Sequence, residues 1–518
     1  MTETVSPPAA ETAAGSFAHV SPESLVIGDN VRDTAGLDER FLDSIRQHGV
    51  LVPVTVVRDA NALIVRDGQR RTLAARAVEL AEIPVYILPT VAADLVQWHR
   101  DRVVQQIVAN DQHSALNDAQ RARGIQQLLA DGLTVEKTAK LLGKPRTTVK
   151  AAAQAAKSEA AMDALSSGQL SLDQAAAVAE FADDDDAVSK LLDCPATHFE
   201  HIISRMRRER QSERALQEAT RTWESLGYRI LAEAPRWDDP DTVCLDDLAG
   251  ADGAPASGDA VNGPDHWAVL LVEEEQFFDV DSDAPVDEES VDWSTRWNRS
   301  RSAAEGSRHF DSVVSRWTVV PEFFCTDLPA AGLSLTEEAA RRRARPASGQ
   351  GAPVRESPGG DTEKDSRRAV VALNKLGEAA AEVRRRWITE HLLSARKLPK
   401  GAATFIATML VRERGLIGDF RAGEDAAALL GLRGGAAALE KHLEGLGANS
   451  DGPAQVVTFA LVLGALEGRC TKDSWRDGGQ SWRGAGPRDL LRYLISAGYT
   501  PADIELVILG EKTAEDCL

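Results

Sequence analysis

The chain has 518 residues, of which 43% are hydrophobic and 27% charged, and its formal net charge is −21. This is an ordinary globular composition for about three or four domains, and no run approaches the ~18 consecutive apolar residues of a membrane helix. The five cysteines (Cys194, Cys244, Cys325, Cys470, Cys517) lie far apart with no C-x-x-C pair, which argues against a disulfide scaffold or a zinc ribbon and suits a reducing cytoplasm.

The net charge argues against a nucleic-acid partner, but it is unevenly placed. Residues 233–292 hold 19 acids and one base, Arg236, whereas residues 98–160 hold ten Lys/Arg against six Asp/Glu. The charge of each domain is therefore the better guide.

Met1–Ala14 is acidic and Ala/Pro-rich, with neither a basic nor an apolar stretch of a secretion signal. Residues 1–20 are expected to be a disordered tail. From Ser21 to Leu88 the pattern is mixed α/β. A strand near Leu25–Val26 is followed by a loop with Asn30 and Arg32. Phe41, Leu42 and Ile45 predict a helix over Glu39–His48, stopped by Gly49. Val52–Val57 and Leu63–Val65 read as a hairpin around Arg58-Asp59-Ala60-Asn61. Gly68 then opens a helix from Arg70 to Leu80, and Ile83–Leu88 is a further strand. In Asp67-Gly68-Gln69-Arg70-Arg71, a glycine, a helix N-terminus and two arginines at a surface turn make a candidate phosphate cradle. It is not a Walker motif, and a glycine followed by two arginines is more often a solvated turn.

From Ala92 to Arg214 the chain reads as almost all helix, broken at Asp131-Gly132, Gly143-Lys144 and Ser166–Gly168. Asp183–Asp186 reads as a solvated loop or helix start. Within 133–156, Thr134 caps Val135–Leu142, small Ala139 allows close packing, Gly143 permits a left-handed turn and Val149 anchors the second helix. Pro145 suits that helix's start. Lys144, Arg146, Thr147, Thr148 and Lys150 cluster at its N-terminal half, where a recognition helix meets base edges and phosphates. The bland reading is an Ala-rich hairpin with a solvated basic face. Arg205, Arg207, Arg208, Arg210 and Arg214 form a second basic cluster, read first as a solvated face and second as a phosphate contact.

Residues 216–340 read as an acidic α+β module with six tryptophans (Trp223, Trp237, Trp267, Trp293, Trp297, Trp317), expected to serve as core. Its acidity suits a protein partner rather than DNA. His198 and His201 lack a third ligand for zinc. Residues 341–368 read as a flexible Arg/Pro/Gly/Ser linker, and 369–518 as an all-α domain. There Arg384–Arg386, Arg396, Lys397 and Lys400 read as a solvated basic face.

Taken in order, Ser44-Ile45, His48-Gly49-Val50 with Pro53, Gly68 with Arg70-Arg71, Ala74-Ala75, Ile83-Pro84, Asn110 with Gln112, Leu116-Asn117 and the helix pair at 133–156 resemble the ParB family of chromosome and plasmid partition proteins. The resemblance covers about residues 21–215. It implies an α+β ParB/sulfiredoxin-like domain over 21–90 and an all-α helix-turn-helix domain over 91–215, ahead of the acidic α+β module and the all-α C-terminal domain. It also implies a cytoplasmic, nucleoid-associated homodimer on double-stranded DNA, closed as a clamp by CTP and Mg²⁺. Carried over by position, Gly68, Gln69, Arg70, Arg71 and Asn110 would contact the nucleotide, with Asn110 also near the metal. Gln69 departs from the family's glutamate, as do Ala109 for glutamate, His113 for arginine and Val52 for the glutamine usual before Pro53. Alanine at 109 can neither orient a water nor ligate a metal, so CTP hydrolysis, and with it any enzymatic role, is open. The alternative is a degenerate relative that binds DNA as an adaptor or regulator without nucleotide. The sulfiredoxin cysteine is absent, since position 69 is Gln, and no carboxylate or His cluster in 21–120 suggests a nuclease. The acidic N-terminus, without Lys or Arg, does not match the family's ATPase-contacting segment. A protein partner, or dimerisation, falls to 216–518.

Overall fold

A computed structural model describes residues 15–27, 39–59, 62–88, 100, 104, 117–296, 301–344, 360–395, 397–418, 420–447, 450–477 and 484–518. The chain divides into two compact units, Met1–Cys194 and Pro195–Leu518.

The first unit opens with a five-stranded sheet formed by β1 (Ser16–Val20), β2 (Leu25–Ile27), β3 (Val54–Asp59), β4 (Ala62–Asp67) and β5 (Ile83–Leu88), in the order β1-β5-β3-β4-β2. β1 runs antiparallel to β5, from Ser16 opposite Ile87 to Val20 opposite Ile83. The expectation of a disordered tail over 1–20 is therefore corrected at Ser16–Val20. The Ala/Pro-rich stretch before it masked a short edge strand whose order comes from pairing to a distant partner. β3 is antiparallel to β4 and parallel to β5. Helices α1 (Glu39–His48) and α2 (Gln69–Ala77) complete this region. Its core holds Leu25, Ile45, Val54, Val56, Val65, Ala74, Ala75, Ile83 and Val85, the period-2 and period-3.6 positions of the sequence. Loop residues Asn30 and Arg32 lie outside the described residues.

Among the described residues, six α-helices follow from Asp118: α3 (Asp118–Ala130), α4 (Val135–Leu142), α5 (Arg146–Ala155), α6 (Glu159–Ser166), α7 (Leu172–Val178) and α8 (Asp185–Asp193). Each start carries its chemistry. Asn117 and Ser171 form capping boxes with Gln120 and Gln174, and Asp184 of the acidic run caps α8 through Ala187 N–H.

The second unit begins with α9 (Phe199–Ser225). The boundary expected at 215/216 thus falls inside a continuous helix. α9 belongs here because Phe199, Ile203 and Met206 are buried and its polar side chains bond within this unit: Ser204 to Glu382, Ser212 to Glu273 and Arg208 to Glu378. Two 13-residue strands, β8 (Trp267–Asp279) and β10 (Val313–Cys325), pair antiparallel from Trp267 opposite Cys325 to Asp279 opposite Val313. Three short strands, β6 (Arg229–Leu231), β7 (Val243–Cys244) and β9 (Pro285–Val286), flank them. Trp267 is buried, and Trp223, Tyr228 and Phe323 meet edge to face. Trp293 packs on Phe277 and Phe310, while Trp297 lies outside the described residues.

The linker reading of 341–368 is corrected at both ends. Its first residues close α10 (Glu337–Ala344), and its last open α11 (Gly360–Trp387); residues 345–359 lie outside the described set. Arg342 bonds both oxygens of Asp247 at 2.6 Å, Arg343 donates to the Asp239 carbonyl at 3.0 Å, and Arg367 pairs with Glu274. Part of the acidic stretch, Asp247 and Glu274, therefore meets its counter-charges more than 90 residues away. Glu273 with Lys375 and Glu275 with Lys472 repeat the pattern, with both ammonium groups over the Trp317 ring.

Among the described residues, seven α-helices carry the C-terminal core: α11, then α12 (Ala402–Arg412), α13 (Phe420–Leu429), α14 (Gly435–Glu444), α15 (Asp451–Glu467), α16 (Pro487–Ser496) and α17 (Asp503–Leu509). Arg384, expected on a solvated face, is 1% exposed. It bonds both Glu467 oxygens at 2.7 and 2.8 Å and Glu505 at 2.5 Å, while Arg385 adds a bond to Glu467 at 2.9 Å. Tyr499 Oη and the Ala502 N–H donate to Glu505. Burial pushes the neighbouring Cys470 thiol up to about 12, which keeps it protonated.

His201 sits at the edge of this network, with Nε2 2.9 Å from the Thr500 carbonyl and its ring against Tyr499. Burial lowers its pKa from 6.5, outweighing Glu505 and the Thr500 carbonyl. A histidine whose folded pKa is depressed takes up its proton first in the unfolded chain. The second unit is therefore expected to lose stability as pH falls through about 6.5, with no contribution from this group well above that value. Melting curves between pH 8 and 5 check this: His201→Gln should show a smaller loss than the natural chain, and identical profiles would refute the assignment.

Candidate functional site

The candidate phosphate turn is built by the β4–α2 junction. Gly68 has φ 102° and ψ 20°, a left-handed conformation, and an added Cβ would lie 3.1 Å from both Val54 Cγ2 and Arg71 Nη2. Glycine is required twice, for backbone and for space. Having no side chain, it leaves the first-turn N–H groups of α2 without a side-chain cap, and these carry the partial positive charge of the helix end.

The two arginines behave differently. Arg70 is exposed, with its guanidinium 4.2 Å from the Phe41 ring centroid. Arg71, expected at an open surface turn, has a side chain only 21% exposed. Its Nη1 donates to the Val52 carbonyl at 2.6 Å and the Pro53 carbonyl at 3.0 Å, and Nη2 to Asp67 at 3.0 Å. It fastens the loop before β3 to the turn. Gly68, Gln69, Arg70 and Arg71 are thus brought together. Ala109, Asn110 and His113 lie outside the described residues, and so does the metal role expected of Asn110. Among the described residues no group of three His, Cys, Asp or Glu side chains is placed to hold a metal ion. Sequence reasoning missed Phe41, read only as a core position, and the bond acceptors of Arg71, which are backbone atoms without a sequence signal.

The second surface is the α4–α5 pair. Thr134 caps α4 by accepting from Lys137 N–H. Gly143 has φ 62°, and the Lys144 N–H returns to the Ala139 carbonyl at 3.0 Å. Pro145 is the N-cap of α5. Ala139, Val149 and Ala152 are buried and fix the roll of α5. Arg146, Thr147 and Lys150 are then exposed, and Lys144 and Thr148 half-buried. Arg146, Thr147, Thr148 and Lys150 lie in the first turn and a half of one helix and Lys144 in the turn just before it, where the macrodipole also favours an anion. The basic cluster Arg205–Arg214 is on α9, in the other unit.

No family model matches the chain. The chromosome-partitioning protein Spo0J of Thermus thermophilus is 36% identical over 111 residues, 21% of this chain and 39% of the relative. A Deinococcus radiodurans protein named "Probable chromosome 1-partitioning protein ParB" is 36% identical over 136 residues, 26% of this chain and 45% of the relative. The chain thus spans less than half the length of these curated relatives. Among solved structures, C-terminally truncated ParB of Caulobacter crescentus complexed to the centromeric parS site aligns at 20% identity and TM-score 0.25, covering 34% of this chain and 91% of that one. The same protein complexed with CTP-gamma-S aligns at 25% identity and TM-score 0.16, covering 34% and 98%. Scores this low do not establish a shared three-dimensional arrangement, and the relation rests on the sequence matches. Through that matched stretch, about a quarter of its length, the chain is similar in sequence to the ParB family of partition proteins.

Proposed function

We propose that the chain is a duplex-DNA-binding partition or regulatory protein that reads its site with a helix-turn-helix, α4 and α5, and uses CTP with Mg²⁺ as a clamp switch. The observation that carries this reading is the start of α5. Buried Val149 and Ala152 anchor the helix while Arg146, Thr147 and Lys150 face solvent together, which is the presentation that major-groove readout requires. The names of the relatives support partition as the setting. A cytoplasmic, nucleoid-associated homodimer is the corresponding assembly, and among the described residues no helix is long and apolar enough to cross a membrane.

In this reading Arg70 and the first-turn N–H groups of α2 take the triphosphate, and Arg71 holds the loop that carries Val52 and Pro53 against the turn. CTP binding to the full chain with Mg²⁺, with ATP and GTP as controls, tests it. Arg70→Ala is expected to weaken CTP binding about 10–100-fold, the worth of a charge-assisted hydrogen bond of ~1.5–3 kcal/mol, with melting unchanged. Arg71→Ala is expected to weaken binding and also to lower the melting temperature of the first unit. CTP affinity unaltered in both variants would remove the cradle.

A second reading, a DNA-binding adaptor without nucleotide, is favoured by the alanine at 109, which removes the carboxylate the family places there. Absence of binding to any nucleotide by the natural chain selects it.

A further inference from the structure

α9 sorts its arginines onto two sides. Arg208 turns toward α11, with Nη1 3.0 Å from Glu378 and Nη2 3.7 Å from Glu382. Ser204 and Ser212 bond on the same side, to Glu382 and Glu273. These contacts define one packed face, and at the start of the helix Phe199, Ile203 and Met206 are buried on another. At 3.6 residues per turn, Arg207, Arg210, Arg214 and Arg221 fall in a sector about 60° wide, roughly 130° from the Glu-bonded side; that sector emerges from the packed core beyond buried Ile203. Arg207, Arg214 and Arg221 are exposed and Arg210 is half-buried. The three exposed residues recur every seventh position, about 10.5 Å apart, and form a line of about 21 Å.

We propose that this face is a track for the sugar-phosphate backbone of double-stranded DNA, a contact separate from the recognition helix. The inference rests on the DNA-binding reading above. A straight line of guanidinium groups matches the rigid, closely spaced charges of a duplex and carries no sequence information. Glu209, Glu213 and Glu224 flank the line on one side and Glu218 on the other. The acidic strand Glu273–Glu275 lies on the packed side, where Lys375, Arg367 and Lys472 meet it. A helix diameter of about 10 Å separates the track from the acidic strand, close to the Debye length at 0.1 M salt, so that strand is largely screened from the arginines; Glu218 and Glu224, one helical turn from Arg214 or Arg221, are the nearest acids to the line. The competing occupant is the acidic segment of a second copy. Several of its carboxylates already serve their own loops: Asp238 binds Arg236, Asp279 binds Ser282 and Arg308, and Asp292 binds Ser294 and the Ala304 N–H.

The experiment measures binding of the full chain to a 30-bp duplex of arbitrary sequence, by fluorescence anisotropy, between about 50 and 200 mM NaCl. The combined Arg207→Gln, Arg214→Gln and Arg221→Gln variant is expected to flatten the slope of log K against log salt by about 2.7, at ~0.9 per phosphate contact. Across that range the natural chain then loses about 40-fold more affinity than the variant. The matching triple Lys variant should keep the natural slope, as should Arg205→Gln, and circular-dichroism melts establish that each is folded. An unchanged slope in the glutamine variant overturns the track. If Arg146→Ala with Thr148→Ala still abolishes preference for a selected site, the helix-turn-helix reading stands without it. No DNA binding by the natural chain at any salt removes both. Loss of salt-sensitive self-association in the glutamine variant, with the DNA slope unchanged, assigns the face to a second copy and overturns the proposal.

Discussion

Replacing Arg146 and Thr148 together by alanine is expected to weaken binding to a specific duplex site by about 2–6 kcal/mol, at ~1–3 kcal/mol for each good base contact. The effect should fall on specificity. Binding to unrelated duplex should change far less, because Lys144 and Lys150 remain to meet phosphates. Stability should hardly move: Arg146 is exposed and Thr148 half-buried, while the contacts that seat α5 come from Val149, Ala152 and Ala155, all fully buried. The site is obtained by selection from random duplexes with the natural chain, and both proteins are then titrated at one salt concentration. Superimposable curves would remove α5 as the recognition helix.

The second large effect is on folding. Arg384→Met should destabilise the second unit by about 3–5 kcal/mol, the usual consequence of removing one partner from a buried charge network. Glu467 would keep only the bond from Arg385, and Glu505 would keep the Tyr499 hydroxyl and the Ala502 N–H without a facing cation. Both carboxylates are at most 1% exposed, so water cannot replace the guanidinium. Adding Glu505→Gln to Arg384→Met should recover part of the loss, because a neutral amide is less costly to bury unpaired than a carboxylate. Calorimetry or denaturant titration checks both variants. A full-chain melt in which the second-unit transition does not move would mean that the network contributes nothing to stability.

Local structure was legible where local chemistry governs it. Thr134, Gly143 and Val149 announce the cap, turn and anchor of the α4–α5 pair, and the strands of the first sheet follow from alternating valines and isoleucines. The glycine of the phosphate turn is explained by one dihedral angle and one tight approach, both tied to its place between strand and helix. What remained hidden was pairing across the chain. Ser16–Val20 is short and follows an Ala/Pro-rich stretch, and it is held as a strand by pairing with the edge of β5. Arg71 reads as one of a solvated pair until the Val52 and Pro53 carbonyls come within reach.

The sequence by itself pointed to most of the locally encoded elements, to the resemblance to the ParB family and to most residues of both candidate surfaces, because periodicity, capping and ordered motifs act within a few residues of one another. Tertiary structure decided which charges are structural. The arginines at 342, 343 and 367 look like linker composition, and Arg384 like a solvated face. Their partners at Asp247, Asp239, Glu274, Glu467 and Glu505 stand 83 to 121 residues away. A charge has no sequence signature for its partner. Only the fold brings the two together and removes the water that would otherwise screen them.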